Sequence, residues 1–159
     1  MKAAVLTISD GVARGERADE SGALLAELLG ADGYEVVRRV VADERSEIAE
    51  AIEELSDEAP LVLTTGGTGV ASRDVTPEAT ASVLERQVPG ISEALRADSA
   101  RRTPHGLLSR GIAGIRGQTL VVNLPGSPGG CRDGFAVLQP ALTHALTLLA
   151  GEQGGHRQT

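Results

Sequence analysis

At 159 residues, with 22 acidic against 15 basic side chains and a net charge of −7, the chain has the size of one domain and lacks the basic footprint of a nucleic-acid binder. Aromatic residues make up only 1% of a sequence that is 41% apolar, so its core must be built from Leu, Val, Ile and Ala. A lone cysteine, Cys131, excludes an internal disulfide, and no apolar run is long enough to span a membrane.

The start is charged at Lys2 and runs straight into Ala3-Ala4-Val5-Leu6-Thr7-Ile8, the pattern of a buried strand. This is not the layout of a secretory leader, and the expectation is a cytoplasmic protein. Ser9-Asp10-Gly11 follows as a loop. Residues 19–32 put Leu24, Leu25, Leu28 and Leu29 at helical spacing, and residues 34–41 are rich in valine. Over 44–58, Ile48, Ile52 and Leu55 form one apolar face opposite acids. A strand is expected at 60–65, helices at 76–88 and 90–99, a strand at 118–124, a glycine-rich turn at 125–130 and a last helix at about 131–150. Alternating strands and helices predict an α/β fold, a three-layer α/β/α sandwich with a mostly parallel central sheet. A polar tail fills 151–159. Ligands of such sheets sit beyond the carboxyl ends of the strands. Four loops are expected there: 9–11, 42–44, 66–75 and 125–130.

The 66–75 loop carries the most information. Thr64-Thr65-Gly66-Gly67-Thr68-Gly69 follows a strand and leads through Arg73-Asp74-Val75 to Thr76-Pro77, read as an N-cap and first helical residue. Glycines let backbone N–H groups approach a ligand, and a helix N-terminus favours anions. A Walker loop is excluded because Lys2 is the only lysine, and the dinucleotide fingerprint fails for want of a third glycine. An aspartate beside bound phosphate suggests a bridging cation such as Mg²⁺.

Asp74 stands too early to cap the helix that Thr76 begins, which favours a chemical role. Asp43 reads either as the N-cap of the next helix or as a functional carboxylate. Asp10 reads as a turn former or a ligand contact, and Ser127 as a turn residue or part of a site. Ser109, Arg110 and Arg73 are candidate anion contacts. His105, His144 and His156 show no ligand spacing with one another or with Cys131, so neither zinc nor a Cys-His nucleophile is expected.

Five segments in order resemble the Mog/MoaB family of molybdenum-cofactor biosynthesis, which includes the gephyrin G domain. They are Leu6-Thr7-Ile8-Ser9-Asp10, Asp19-Glu20-Ser21-Gly22, Thr65-Gly66-Gly67-Thr68-Gly69 with Arg73-Asp74-Val75-Thr76-Pro77-Glu78, Leu108-Ser109-Arg110-Gly111, and Asn123-Leu124-Pro125-Gly126-Ser127-Pro128. The resemblance implies a single molybdopterin-binding catalytic domain over 1–150. Its activity would be adenylyl transfer from Mg-ATP to the terminal phosphate of molybdopterin, and its product would pass to a molybdate-insertion enzyme. It implies Asp43 and Asp74 as catalytic residues and Mg²⁺ ligands. Substrate contacts would come from Ser9, Asp10, Gly66, Gly67, Thr68, Gly69, Arg73, Ser109, Asn123, Pro125, Gly126, Ser127 and Pro128. It also implies a homotrimer, with a hexamer as the other assembly. The chain departs from many relatives at Ala42, where they have proline, and at Gly129-Gly130. Competing readings are a molybdopterin-binding protein without catalysis and a nucleotide pyrophosphatase of the competence/damage-inducible type. Arg73-Asp74 speaks against the latter, which usually pairs two aspartates there.

Overall fold

Alternate residues along the central strands feed two separate cores. Ala3, Val5, Leu61, Leu63, Leu120 and Val122 face one way, and Ala4, Leu6, Ile8, Val62 and Val121 the other. Both faces are therefore buried, which is why these strands read as unbroken apolar runs. A computed structural model describes residues 1–151, and the expected tail beyond Gly151, with His156, lies outside the described residues.

The elements run β1 (Lys2–Ile8), α1 (Asp10–Ala13), α2 (Glu20–Ala31), β2 (Glu35–Val41), α3 (Arg45–Glu58), β3 (Leu61–Thr65), α4 (Thr76–Val83), β4 (Arg86–Gln87), α5 (Pro89–Arg102), a 3-10 turn (Pro104–Leu108), β5 (Ala113–Arg116), β6 (Thr119–Leu124) and α6 (Pro128–Leu149). They form one six-stranded sheet in the order β2-β1-β3-β6-β5-β4. β2, β1, β3 and β6 are mutually parallel, while β5 and β4 continue the sheet antiparallel. Helices α2, α5 and α6 pack on one face, and α3 and α4 on the other. This is the expected three-layer sandwich.

Several expectations need correction. The helix begun at Thr76 stops at Val83, and the chain enters β4 instead of continuing to 88. Strand β5 was not expected, being four residues long and interrupted by Gly114. A Cβ at Gly114 would stand 2.4 Å from Arg86 O, so only glycine lets β4 lie alongside. Helix α5 covers 14 residues instead of ending at 99; Ser92 is its one buried residue, so its sequence carries no clear apolar stripe. Asp10 and Gly11 open a one-turn helix, α1, where a loop was expected. α6 begins at Pro128, so part of the supposed 125–130 turn is already helix, capped by Ser127.

Candidate active site

The four loops expected at the C-terminal edge do follow β1, β2, β3 and β6 and converge there. The glycine loop is shaped by two residues in the left-handed region, Gly66 at φ 104° and Gly67 at φ 68°. A Cβ at Gly66 would lie 2.2 Å from Ile8 O, and one at Gly67 would lie 2.3 Å from Thr76 Oγ1. Side chains are excluded at both positions. Gly66 N–H donates to Leu124 O at 3.2 Å, tying the loop to β6. The N–H groups of Gly67, Thr68 and Gly69 make no hydrogen bond among the described residues. These three donors are available to an anionic guest.

Thr76 is not the helix cap. Val75 holds that position without a side-chain bond, and Thr76 Oγ1 donates to Gly66 O at 2.9 Å. The hydroxyl braces the loop instead of the helix. Arg110, read as an anion contact, is also occupied. Its backbone N–H donates to Thr68 O, its Nε to Gly69 O at 2.7 Å, and its Nη2 to Asp74 O at 2.6 Å, while Nη1 pairs with Glu78. It clamps the loop from the segment that follows α5.

Asp43 and Asp74 flank this loop. An added Cβ at Gly67 would be 3.2 Å from Asp43 Oδ1, and one at Gly69 would be 2.8 Å from Asp74 Oδ2. Asp74 Oδ2 also accepts from Ala71 N at 3.0 Å. Asp43 does not cap α3: Glu44 is the N-cap residue, and it makes no side-chain cap bond. Asp43 Oδ2 instead accepts from Asp10 N, and Asp10 Oδ1 accepts from Asp43 N. Burial pushes the Asp43 carboxyl above its ordinary range, and the negative charges of Asp10 and Asp74 add to this, against the opposing effect of the Asp10 N–H. Asp10 goes the other way, lowered chiefly by its hydrogen bond from Arg73.

Arg73 Nε donates to Asp10 Oδ2 at 2.6 Å, and its Nη2 reaches Asp10 Oδ1, Asp43 O and Glu44 Oε1. Asp10 and Arg73 thus hold the 43–44 loop to the glycine loop before any ligand arrives. Asn123, a candidate contact, is 4% exposed and fully engaged: Nδ2 donates to Thr64 Oγ1 and Thr80 Oγ1, and Oδ1 accepts from Ile112 N. Its side chain is a strut between β6, β3 and α4.

Two cavities of about 590 Å³ each meet at Gly126 and Ser127. Ser9, Arg17, Asp19, Asp43 and Gly66 line one, and Thr68, Arg96, Ser99, Ser109 and Asn123 the other. Gly67, Asp74, Gly126 and Ser127 belong to both. Pro125 O is fixed from behind by Thr65 Oγ1 at 2.7 Å and Cys131 Sγ at 3.1 Å. Burial raises the Cys131 thiol to about 11, so it is no nucleophile at neutral pH. Ser127 Oγ accepts from Gly130 N, and Pro128 is the first residue of α6. Ser9 caps α1, accepting from Val12 N at 3.3 Å.

Asp19 lines the first cavity although the sequence reading assigned it no site role. It caps α2 through Gly22 N and also takes bonds from Thr7 Oγ1 and Arg38. The clue was Gly22, where a Cβ would meet Asp19 Oδ2 at 2.3 Å. For a cation, no cluster of three or more His, Cys, Asp or Glu suited to a metal occurs among the described residues. Asp43 and Asp74 fit Mg²⁺, which takes one or two carboxylates and completes its octahedron with substrate phosphate and water.

Residues 4–144 match the family model described as a probable molybdopterin binding domain. A molybdopterin adenylyltransferase of Helicobacter pylori strain 26695 is 40% identical over 152 residues, covering 92% of this chain and 86% of that enzyme. The crystal structure of the molybdopterin biosynthesis enzyme MoaB from Thermus thermophilus superposes with a TM-score of 0.88 at 44% identity, covering 94% of this chain and 96% of that one. The molybdenum cofactor synthesis protein cinnamon of Drosophila melanogaster is 39% identical over 98% of this chain, which spans only 26% of the fly protein.

Proposed function

The chain belongs to the molybdopterin-binding domain family, and on that premise we propose that it is a molybdopterin adenylyltransferase of molybdenum cofactor biosynthesis. The observation that carries this reading is the position of Asp74, Gly67 and Ser127, which line both of two equal cavities. A two-substrate transfer needs two pockets that meet at the reacting atoms.

An oxygen of the terminal phosphate of molybdopterin attacks the α-phosphorus of ATP. The new P–O bond forms as the bond to the bridging oxygen of the β-phosphate breaks, and pyrophosphate leaves with that electron pair. A phosphate monoester has lost its second proton near pH 6, so the nucleophile needs no general base. The nucleotide occupies the cavity that contains both Asp43 and Asp74, and molybdopterin the other. The free N–H groups of Gly67, Thr68 and Gly69 donate to phosphate oxygens, without the lysine of a Walker loop. Asp43 and Asp74 would hold Mg²⁺, which when bound neutralises charge on the transferring phosphate. Ser9, Ser109 and the 125–128 segment orient the substrates, with Asp10, Arg73 and Asn123 holding the loops in place.

The chain assembles as a homotrimer, as its resemblance implies, with a hexamer as the alternative. Exposed Val70, Leu107 and Leu108 offer apolar surface on two segments joined by Arg110, and light scattering tests the assembly. The adenylylated product is handed to a molybdate-insertion enzyme in the cytoplasm. No helix among the described residues is long and apolar enough to cross a membrane. Incubation with Mg-ATP and molybdopterin, followed by mass analysis, tests the function directly. Adenylylated molybdopterin supports it; unchanged molybdopterin would indicate binding alone.

A further inference from the structure

Arg17 reaches into the cavity that contains Asp43 and Asp74. Its Nη2 donates to Ser9 Oγ at 2.8 Å. Its stem lies across Gly11, where an added Cβ would stand 3.0 Å from Nε and 3.4 Å from Cδ. Glycine at position 11 thus leaves the face on which the arginine rests.

Arg17 forms no ion pair among the described residues. Arg73 is spent on Asp10 and Glu44, Arg38 on Asp19 and Arg110 on Glu78, and Arg14 does not line the cavity. The other charged side chains lining the cavity are carboxylates, namely Asp19, Glu20, Asp43 and Asp74. A polyphosphate entering there meets strong repulsion, and the lining offers it one side-chain cation. Guanidinium presents five N–H donors in a fixed fork that matches phosphate, so the bond to Ser9 leaves most of them for a ligand.

We propose that Arg17 is a nucleotide-phosphate contact, anchored by Ser9 and Gly11 and supplying the cationic side chain that the glycine loop, whose Arg73 is paired with Asp10 and Glu44, does not have to spare. This rests on placing the nucleotide on the Asp43 side. Molybdopterin also carries phosphate, so the test must separate the two sources.

Calorimetry on the full chain separates them without relying on turnover. Binding of Mg-ATP, inorganic tripolyphosphate with Mg²⁺, adenosine and molybdopterin is measured for the parent, Arg17→Gln and Arg17→Lys. Arg17→Gln should weaken Mg-ATP and tripolyphosphate roughly tenfold, the loss of one charge-assisted hydrogen bond, with adenosine and molybdopterin unchanged. Arg17→Lys should recover part of the loss by restoring the charge without the fork. Unchanged Mg-ATP affinity, weakening of molybdopterin alone, equal weakening of adenosine, or a parent that binds no Mg-ATP would each overturn the assignment. A parent that binds Mg-ATP but transfers nothing would sink the adenylyltransferase reading and leave the Arg17 comparison readable.

Discussion

Asp10 and Asp43 cap one another: the Asp10 N–H donates to Asp43 Oδ2 at 2.9 Å, and the Asp43 N–H donates to Asp10 Oδ1 at 3.0 Å. The exchange joins the loop after β1 to the loop after β2, and Arg73 adds the glycine loop to the same knot. One carboxylate of the pair is spent on Arg73; the other keeps Oδ1 turned toward Gly67. The asymmetry distinguishes a bracing aspartate from one able to take a cation.

Asp43→Asn tests that division. Burial holds the Asp43 carboxyl above its usual 3.8, so its ionised form costs stability above its folded pKa, and the cost vanishes as pH falls below 3.8. Asparagine still accepts from Asp10 N but carries no charge. The variant should melt at the parent temperature or higher at pH 7, with the gap closing as pH falls below 3.8, while activity falls about a hundredfold or more. Thermal scans across pH and a turnover assay check both halves. Full activity in Asp43→Asn would contradict the cation role.

Asp10 has the opposite sign. Its folded pKa is depressed, so its contribution is fully present above the unfolded value of 3.8 and is lost as pH falls through the lower folded value. Asp10→Asn should therefore lower Tm at pH 7, and the difference from the parent should shrink as pH drops below 3.8. Melting curves from pH 7 to pH 2.5 show the convergence; a gap constant with pH would mean that the ion pair with Arg73 contributes nothing.

Asn123→Ala separates a strut from a ligand contact. The substitution strips partners from Thr64, Thr80 and the Ile112 N–H in a buried place. A loss of about 3 kcal/mol is expected, roughly 6–12 °C in Tm for a domain of this size. Substrate KM values measured well below the melting range should stay close to the parent. A large KM change without a Tm change would make Asn123 a ligand contact.

Strands β1, β3 and β6 were legible because each is an apolar run buried on both faces, and β2, at the sheet edge and only partly buried, was legible from its valines. Strands β4 and β5 were not, since two exposed residues and a run broken by Gly114 carry no periodic signal. Loop position singled out Asp74, whereas Asp43 read equally as a helix cap, and only the family resemblance implied a catalytic role for it. What local reading missed was where hydroxyl and guanidinium groups go. Thr76 Oγ1 turns back to Gly66 O, and Arg110 reaches across 41 residues to Gly69 O. Asn123 likewise takes its partners from β3, α4 and the segment before β5. Such partners are distant in sequence, so a helix cap or a polar loop residue looks the same until the layers are assembled.

Cation dependence should be steep for a site lined by Asp19, Glu20, Asp43 and Asp74. ATP affinity measured by calorimetry should fall at least tenfold when Mg²⁺ is replaced by EDTA, and Asp74→Ala should remove most of that difference. Asp74→Ala should also abolish turnover while the protein stays folded. Equal ATP affinity in EDTA would show that the carboxylates do not act through a cation.

The most direct measurement is pyrophosphate release from Mg-ATP with and without molybdopterin, with the pterin product weighed in the same samples. Release is expected only when molybdopterin is present, one pyrophosphate for each adenylylated molybdopterin. Release without molybdopterin, giving free AMP, would identify a nucleotide pyrophosphatase and contradict the adenylyltransferase assignment.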